Sequence, residues 1–317
     1  MTRRMLAAGL TAAIATAAPA AAAVTKPTVT TGGAAVVTQT SATLTGKVNP
    51  NGARTTYFFQ YGSTKGYGAT TGPADAGAGT KSRTAAADLT GLAPFTRYHY
   101  RLVAQNAKGT TFGGDRTFTT KKQPLGFSLA GNPNPATWGT GTTLSGQLTG
   151  TGNANRTVKL QMKAFPYTAS FTDVGNPQVT DGNGNFAFVL ALLTVNTQFR
   201  VLTVGGGNAT SPIVIVGCAV RVGVKASATR VRSGARVRFS GHVWPANDGA
   251  LYAIQRRKSG AWVTVKGGSR RHGSTAASRY GRTMRIRHAG LYRVFVGVNN
   301  QNTSGVSREV RIRLRHG

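Results

Sequence analysis

The residues best placed for chemistry in this chain are its arginines. Residues 218–317 hold 21 lysines and arginines, 18 of them Arg, against two acids, Asp248 and Glu309. Several alternate with apolar residues, as in Arg236-Val237-Arg238-Phe239, Arg285-Ile286-Arg287 and Arg311-Ile312-Arg313-Leu314-Arg315. Period two is the strand period, so these runs put apolar side chains inward and guanidiniums outward. Arg256-Arg257-Lys258 and Arg270-Arg271 are read as added clusters in loops. Guanidinium forks match the oxygens of phosphate and carboxylate, and stripes on several strands sum to a broad positive field. The chemistry expected at these twelve positions is therefore polyanion binding. Codon bias or plain solvated strand faces would give the same stripes.

Other motifs carry less. Ala76-Gly77-Ala78-Gly79-Thr80-Lys81-Ser82 imitates a phosphate loop, but Thr80 separates Lys81 from the last glycine and no helix follows. Gly126-Phe127-Ser128-Leu129-Ala130 imitates a nucleophile elbow without a His and acid to match. Asp181-Gly182-Asn183-Gly184-Asn185 starts like a calcium loop, yet Phe186 and Leu192 stand where an EF-hand needs Gly and Glu. A hairpin turn is expected there. The five histidines are isolated and one cysteine makes no cluster, so neither a metal site nor a cofactor is expected, and no catalytic residue is assigned. Trp244 is the candidate for an exposed, carbohydrate-stacking ring. Trp262, which aligns with Phe171, is expected in a core.

The elements that must position these residues are strands. Tyr57, Phe59 and Tyr61 share one face of a run, and Tyr98, Tyr100 and Leu102 share one face of another, opposite Arg97, His99 and Arg101. Short alternating runs between Gly, Pro, Asn and Asp recur from Val24 to the end, which argues for antiparallel sandwiches. With 42 glycines, 40% apolar residues and a net charge of +32, the 317-residue chain is neither a collagen nor a disulfide-stapled mini-protein. The charge sits at one end: residues 27–122 hold 11 basic residues against 3 acids, and residues 123–217 hold 4 against 2.

An internal repeat explains the second half. Leu144-Ser145-Gly146-Gln147-Leu148 matches Phe239-Ser240-Gly241-His242-Val243, Leu160-Gln161 matches Ile254-Gln255, and Phe199-Arg200-Val201 matches Tyr292-Arg293-Val294. Where the second copy has Arg236, Arg238, Arg311 and Arg313, the first has Gly141, Thr143, Ile215 and Gly217. The join through Val216–Val220 has no spacer, so the copies are expected to abut rigidly.

Leu92-Ala93-Pro94-Phe95-Thr96-Arg97-Tyr98, continuing to Asn106 and Gly109, resembles the fibronectin type III family over residues 27–120. The resemblance implies a tyrosine corner at Leu92 and Tyr98, the hydroxyl bonding backbone upstream. Leu44 and Val48 replace the early core Trp of many members, and no Arg-Gly-Asp tripeptide is present, so integrin-type adhesion is not implied. The repeated halves resemble bacterial Ig-like modules.

Arg3-Arg4, an Ala-rich stretch and Ala20–Ala23 read as a secretory signal peptide, of the general or the twin-arginine type, with no later span apolar enough for a membrane helix. Cys218 is expected to be a small buried residue, with an intermolecular disulfide as the alternative. The expectation is an all-β chain of three consecutive antiparallel β-sandwiches: signal peptide 1–23, fibronectin type III-like domain 24–120, linker 121–126, Ig-like domain 127–217 and Arg-rich Ig-like domain 218–317. The expected role is a secreted or envelope-associated, non-enzymatic adhesion or scaffold protein. Its basic module would bind an anionic envelope polymer or glycan, or extracellular nucleic acid. The alternative is a carbohydrate-binding accessory to a separate glycan hydrolase, a setting in which fibronectin-type modules occur.

Overall fold

The computed structural model describes residues 23–297 and 300–315. The stretch read as a signal peptide lies outside the described residues up to position 22. The described residues form strands and turns without a helix, so none is long and apolar enough to cross a membrane. Contacts divide the chain into two compact units between Gln123 and Pro124, inside the stretch read as a linker.

The first unit is one antiparallel sandwich. Thr28–Thr31, Ala42–Asn49 and Arg83–Leu89 make one sheet in that order. Thr55–Gly62 and Arg97–Asn106 centre the other, with Gly109–Phe112 and Arg116–Thr119 beside the latter. Leu44, Val48 and Ala85 face Phe59, Tyr100 and Leu102 between the sheets, and Tyr57, Tyr61 and Tyr98 pack at the margin. The faces are those the alternation predicts.

The second unit contains two sandwiches, and the repeat has a physical basis. In the first, Thr142–Thr149 pairs with Asn185–Leu190, and Thr157–Ala164 with Thr197–Thr203. In the second, Arg236–Trp244 pairs with Ser278–Arg285, and Leu251–Lys258 with Gly290–Val296. The shared Ser-Gly pair is explained by close approach. A Cβ on Gly146 would lie 2.0 Å from the Ser128 carbonyl oxygen, and one on Gly241 would lie 2.0 Å from that of Gly223. No other residue fits so near a facing backbone. Ser211 and Ser307 repeat a second detail, each accepting a 2.9 Å bond from the backbone N–H of Val201 or Val294. Each sandwich has its own core: Leu144, Phe188, Leu160 and Phe199 in one, Val237, Phe239, Ile254 and Tyr292 in the other. Replacing a fully buried Phe such as Phe239 by Ala would cost about 3–5 kcal/mol.

The two sandwiches meet at Cys218. Ala136 pairs with it in a short parallel ladder, and its backbone N–H donates to Asn196 Oδ1 at 2.8 Å while its carbonyl accepts from Thr303 N at 2.9 Å. The side chain is fully buried, and burial pushes its thiol up to about 11. An intermolecular disulfide would require this joint to open.

Candidate anion-binding surface

Strand register decides which arginines meet. On Arg236–Trp244, Val237, Phe239 and Val243 are fully buried, so Arg236, Arg238, His242 and Trp244 take the outer face. Directly opposite residues of an antiparallel pair share a face. Arg285 lies opposite Arg236, Thr283 opposite Arg238, and Arg279 opposite His242. Arg271 is opposite Arg279, Lys225 opposite Ser240, and Arg221 opposite Trp244. One sheet face thus carries seven cations, Arg221, Lys225, Arg236, Arg238, Arg271, Arg279 and Arg285, and no acid. Two of its directly opposed pairs, Arg236/Arg285 and Arg271/Arg279, are like-charged, an arrangement that destabilises a sheet.

The homologous face of the sister sandwich is neutral. Thr143 lies opposite Val189, Ser145 opposite Ala187, and Gln147 opposite Asn185. The framework therefore tolerates a face without arginine.

Three clefts collect the basic side chains. Arg238, Arg271, Arg279 and Arg282 line one of about 400 Å³ with Tyr252 and Tyr280. Arg236, Arg285 and Arg287 join Lys266 around a neighbouring one of about 470 Å³. Arg311 and Arg313 line a third of about 260 Å³ with Arg230, on the other sheet. Arg256, Arg257 and Lys258, expected in a loop, instead end the Leu251–Lys258 strand of that other sheet, because each pairs with the returning strand, Arg257 opposite Trp262. Arg315 is exposed beyond the last strand.

Arg270 departs from the expectation of an exposed cation. It is 2% exposed, because the chain crosses between the sheets there and folds its side chain inward. Its Nε donates to the Ala250 carbonyl at 3.3 Å, and its Nη1 has no partner. Burial pulls its pKa down, opposed by the Asp248 carboxylate. It cannot sit on a docking surface.

Other arginines are structural, for a reason that lies in cross-strand pairing and not in local sequence. Gln60 lies opposite Arg101, Gln161 opposite Arg200, and Gln255 opposite Arg293. In all three sandwiches the Arg Nε donates to the Gln Oε1, at 2.7, 2.9 and 2.9 Å. Each guanidinium also covers an aromatic ring: Phe112 at 4.4 Å, Phe171 at 4.2 Å and Trp262 at 4.2 Å. Trp262 is therefore a half-buried ring under this clamp and not a core residue as the alignment with Phe171 had implied; Phe171 occupies the same outer position. Trp244 is half-buried too, with the Arg221 guanidinium 4.4 Å above its ring and His242 beside it. That cation takes a ring face a sugar would stack on.

The Tyr98 hydroxyl accepts a 2.9 Å bond from the Ala93 backbone N–H, and Leu92 is buried beside it. Ser128 accepts from the Gln147 backbone N–H at 3.0 Å, in a groove lined by no His or acid. Asp181 closes its turn by accepting from Asn183 N and Asn185 N, both at 2.8 Å, and these bonds with that from Asn185 Nδ2 hold its carboxyl below the usual range. Among the described residues no group of ligating side chains could hold a metal. Asp248 joins Ser278 and His272, but Ser278 donates straight to the carboxylate and is fully buried. With the imidazole not between them, this is no relay for activating a serine.

No protein-family model and no curated protein sequence matches the chain. Similar solved structures include the FN1–FN3 domains of chicken CNTN1, 16% identical, covering 90% of this chain and 98% of that one at a TM-score of 0.30. The I67–I69 I-band fragment of titin is 10% identical, covering 93% and 100% at 0.30. Trypsin-activated alpha-2-macroglobulin from Escherichia coli is 12% identical, covering 94% and 24% at 0.25.

Proposed function

We propose that this chain is a secreted or envelope-associated, non-enzymatic adhesion or scaffold protein whose last sandwich attaches it to an anionic polymer of the cell envelope. The observation that carries the reading is the seven-cation face without an acid, set against a sister face with no charge at all. A scaffold role asks nothing of the fold except stable sandwiches and an exposed contact surface. Uncompensated like charges on adjacent strands weaken the free sheet, and an anion laid across them reverses that cost. The amino-terminal basic, Ala-rich and A-x-A order supports export.

The test is sedimentation of the full chain with purified cell envelope at two salt concentrations. Attachment at low salt that falls steeply as salt rises is expected, because counterion release dominates such binding. Protein left in the supernatant at low salt, or attachment indifferent to salt, overturns the reading.

A further inference from the structure

We propose that the cleft lined by Arg238, Arg271, Arg279 and Arg282 is a binding site for a phosphoryl group, the moiety by which the anionic polymer is recognised. This rests on the attachment reading above and specifies its ligand chemistry.

The cleft is assembled from three strands. Arg238 comes from Arg236–Trp244, Arg271 from the two-residue strand Arg271–His272, and Arg279 and Arg282 from Ser278–Arg285. The two-residue strand pairs only with Ser278 and Arg279, so the edge of the neighbouring strand is open from Tyr280 onward. There Arg282 leaves the outer stripe: it is opposite the buried Phe239, yet it is exposed and lines the opening. Glycine makes the convergence possible. A Cβ on Gly281 would stand 2.4 Å from Arg238 Nη2, so only a bare backbone lets that guanidinium lie across the strand. Tyr252 and Tyr280, with ring centroids 4.8 Å apart, form a fixed floor, pinned by the 2.6 Å bond from the Tyr280 hydroxyl to the Gly223 carbonyl.

None of the four guanidiniums has an ion pair or side-chain hydrogen bond among the described residues. The nearby acid is engaged elsewhere, Asp248 with Ser278 and His272. This separates them from Arg101, Arg200 and Arg293, whose forks are spent on glutamines, and from Arg270, which is buried. Four unpaired forks around one opening of about 400 Å³ suit a ligand with more than one charge and more than two oxygens. A phosphoryl group brings three acceptor oxygens and up to about two charges, whereas a carboxylate brings two oxygens and one. The neighbouring cleft of Arg236, Lys266, Arg285 and Arg287 extends the positive track along the same strand.

The test uses the full chain and pyrophosphate as probe, followed by calorimetry, with citrate as the carboxylate control. Three variants are compared: Arg271→Ser/Arg279→Ser, Gly281→Val, and Arg311→Ser/Arg313→Ser. The first and third remove the same charge, and the second removes none while displacing the flexible tip of Arg238, so the fold is kept. Pyrophosphate is expected to bind more tightly than citrate, and its affinity to fall about tenfold or more in the first variant, severalfold in the second and less than about twofold in the third. Equal losses in the first and third variants, an unchanged Gly281→Val, or citrate binding as tightly as pyrophosphate would overturn the site. Salt-sensitive envelope attachment that pyrophosphate does not compete away would also overturn it, leaving the attachment reading intact. Pyrophosphate bound as expected by a chain that does not sediment with envelope would sustain the site and overturn attachment alone.

Discussion

The two sandwiches of the second unit are built on one framework and put opposite surfaces on it. Both carry the close-approach glycine, Gly146 or Gly241, and both carry the Gln–Arg–aromatic clamp. They differ on the outer face of one sheet, which is Thr143, Ser145, Gln147, Ala187 and Val189 in one and mostly arginine in the other. What the copies share is what folding requires. What only one has is free of that requirement, and this sorts arginines that composition alone makes identical.

The largest effect should come from stripping the charged face. Replacing Arg236, Arg238, Arg279 and Arg285 by Ser should lower the log–log salt slope of envelope attachment by about 3, at about 0.7 per lost phosphate-type contact. Melting should stay within a few degrees of the parent. Sedimentation across a salt series with thermal denaturation reads both; an unchanged slope would mean these four positions make no contact. The converse experiment sharpens the comparison. Thr143→Arg, Ala187→Arg and Val189→Arg should give the neutral face a new salt-sensitive attachment with a slope increment of about 2. Val189 is 80% exposed, so the grafted strand keeps its buried side unchanged. A graft that folds and leaves attachment where it was would show that charge on this framework is not sufficient.

Much of this was legible in the sequence, for local reasons. Period-two alternation assigned the inward faces of the Thr55–Gly62 and Arg97–Asn106 strands, and the Ser-Gly match disclosed the repeat. The composition of the clefts was not legible, because it depends on register between distant strands. Arg279 and Arg282 belong to no alternating run, since they stand three positions apart with Tyr280 and Gly281 between them, and only the open strand edge brings both to the cleft. Arg270 and Arg271 are chain neighbours of the same type, yet one is buried and one exposed where the chain changes sheets. The clamp was missed because Gln255 and Arg293 are 38 residues apart, although the matched pairs Leu160-Gln161/Ile254-Gln255 and Phe199-Arg200/Tyr292-Arg293 already contained it.

A smaller effect should separate structural from surface arginine. Arg200→Ser and Arg293→Ser each break a charge-assisted hydrogen bond and a cation–π contact, and each should cost about 1–3 kcal/mol. The two losses should be alike, because the geometry is repeated at 2.9 Å and 4.2 Å in both sandwiches. Denaturant melts would expose a difference; a cost at Arg293 without one at Arg200 would make the clamp specific to the basic copy.

The smallest effect has the opposite sign. Arg285 faces Arg236 across the sheet with no acid between them, so Arg285→Ser removes a like-charge contact and should stabilise the protein by roughly 0.2–1 kcal/mol at low salt. Screening shortens the reach of the repulsion to about 10 Å at 0.1 M and 3 Å at 1 M, so the gain should shrink as salt rises. Denaturant melts at both ionic strengths decide it. A loss of stability would place Arg285 with Arg293 among the residues the fold depends on. A gain that fades with salt would mean that the free sheet is held in a conformation its own charges oppose, which is the state an anionic polymer would relieve.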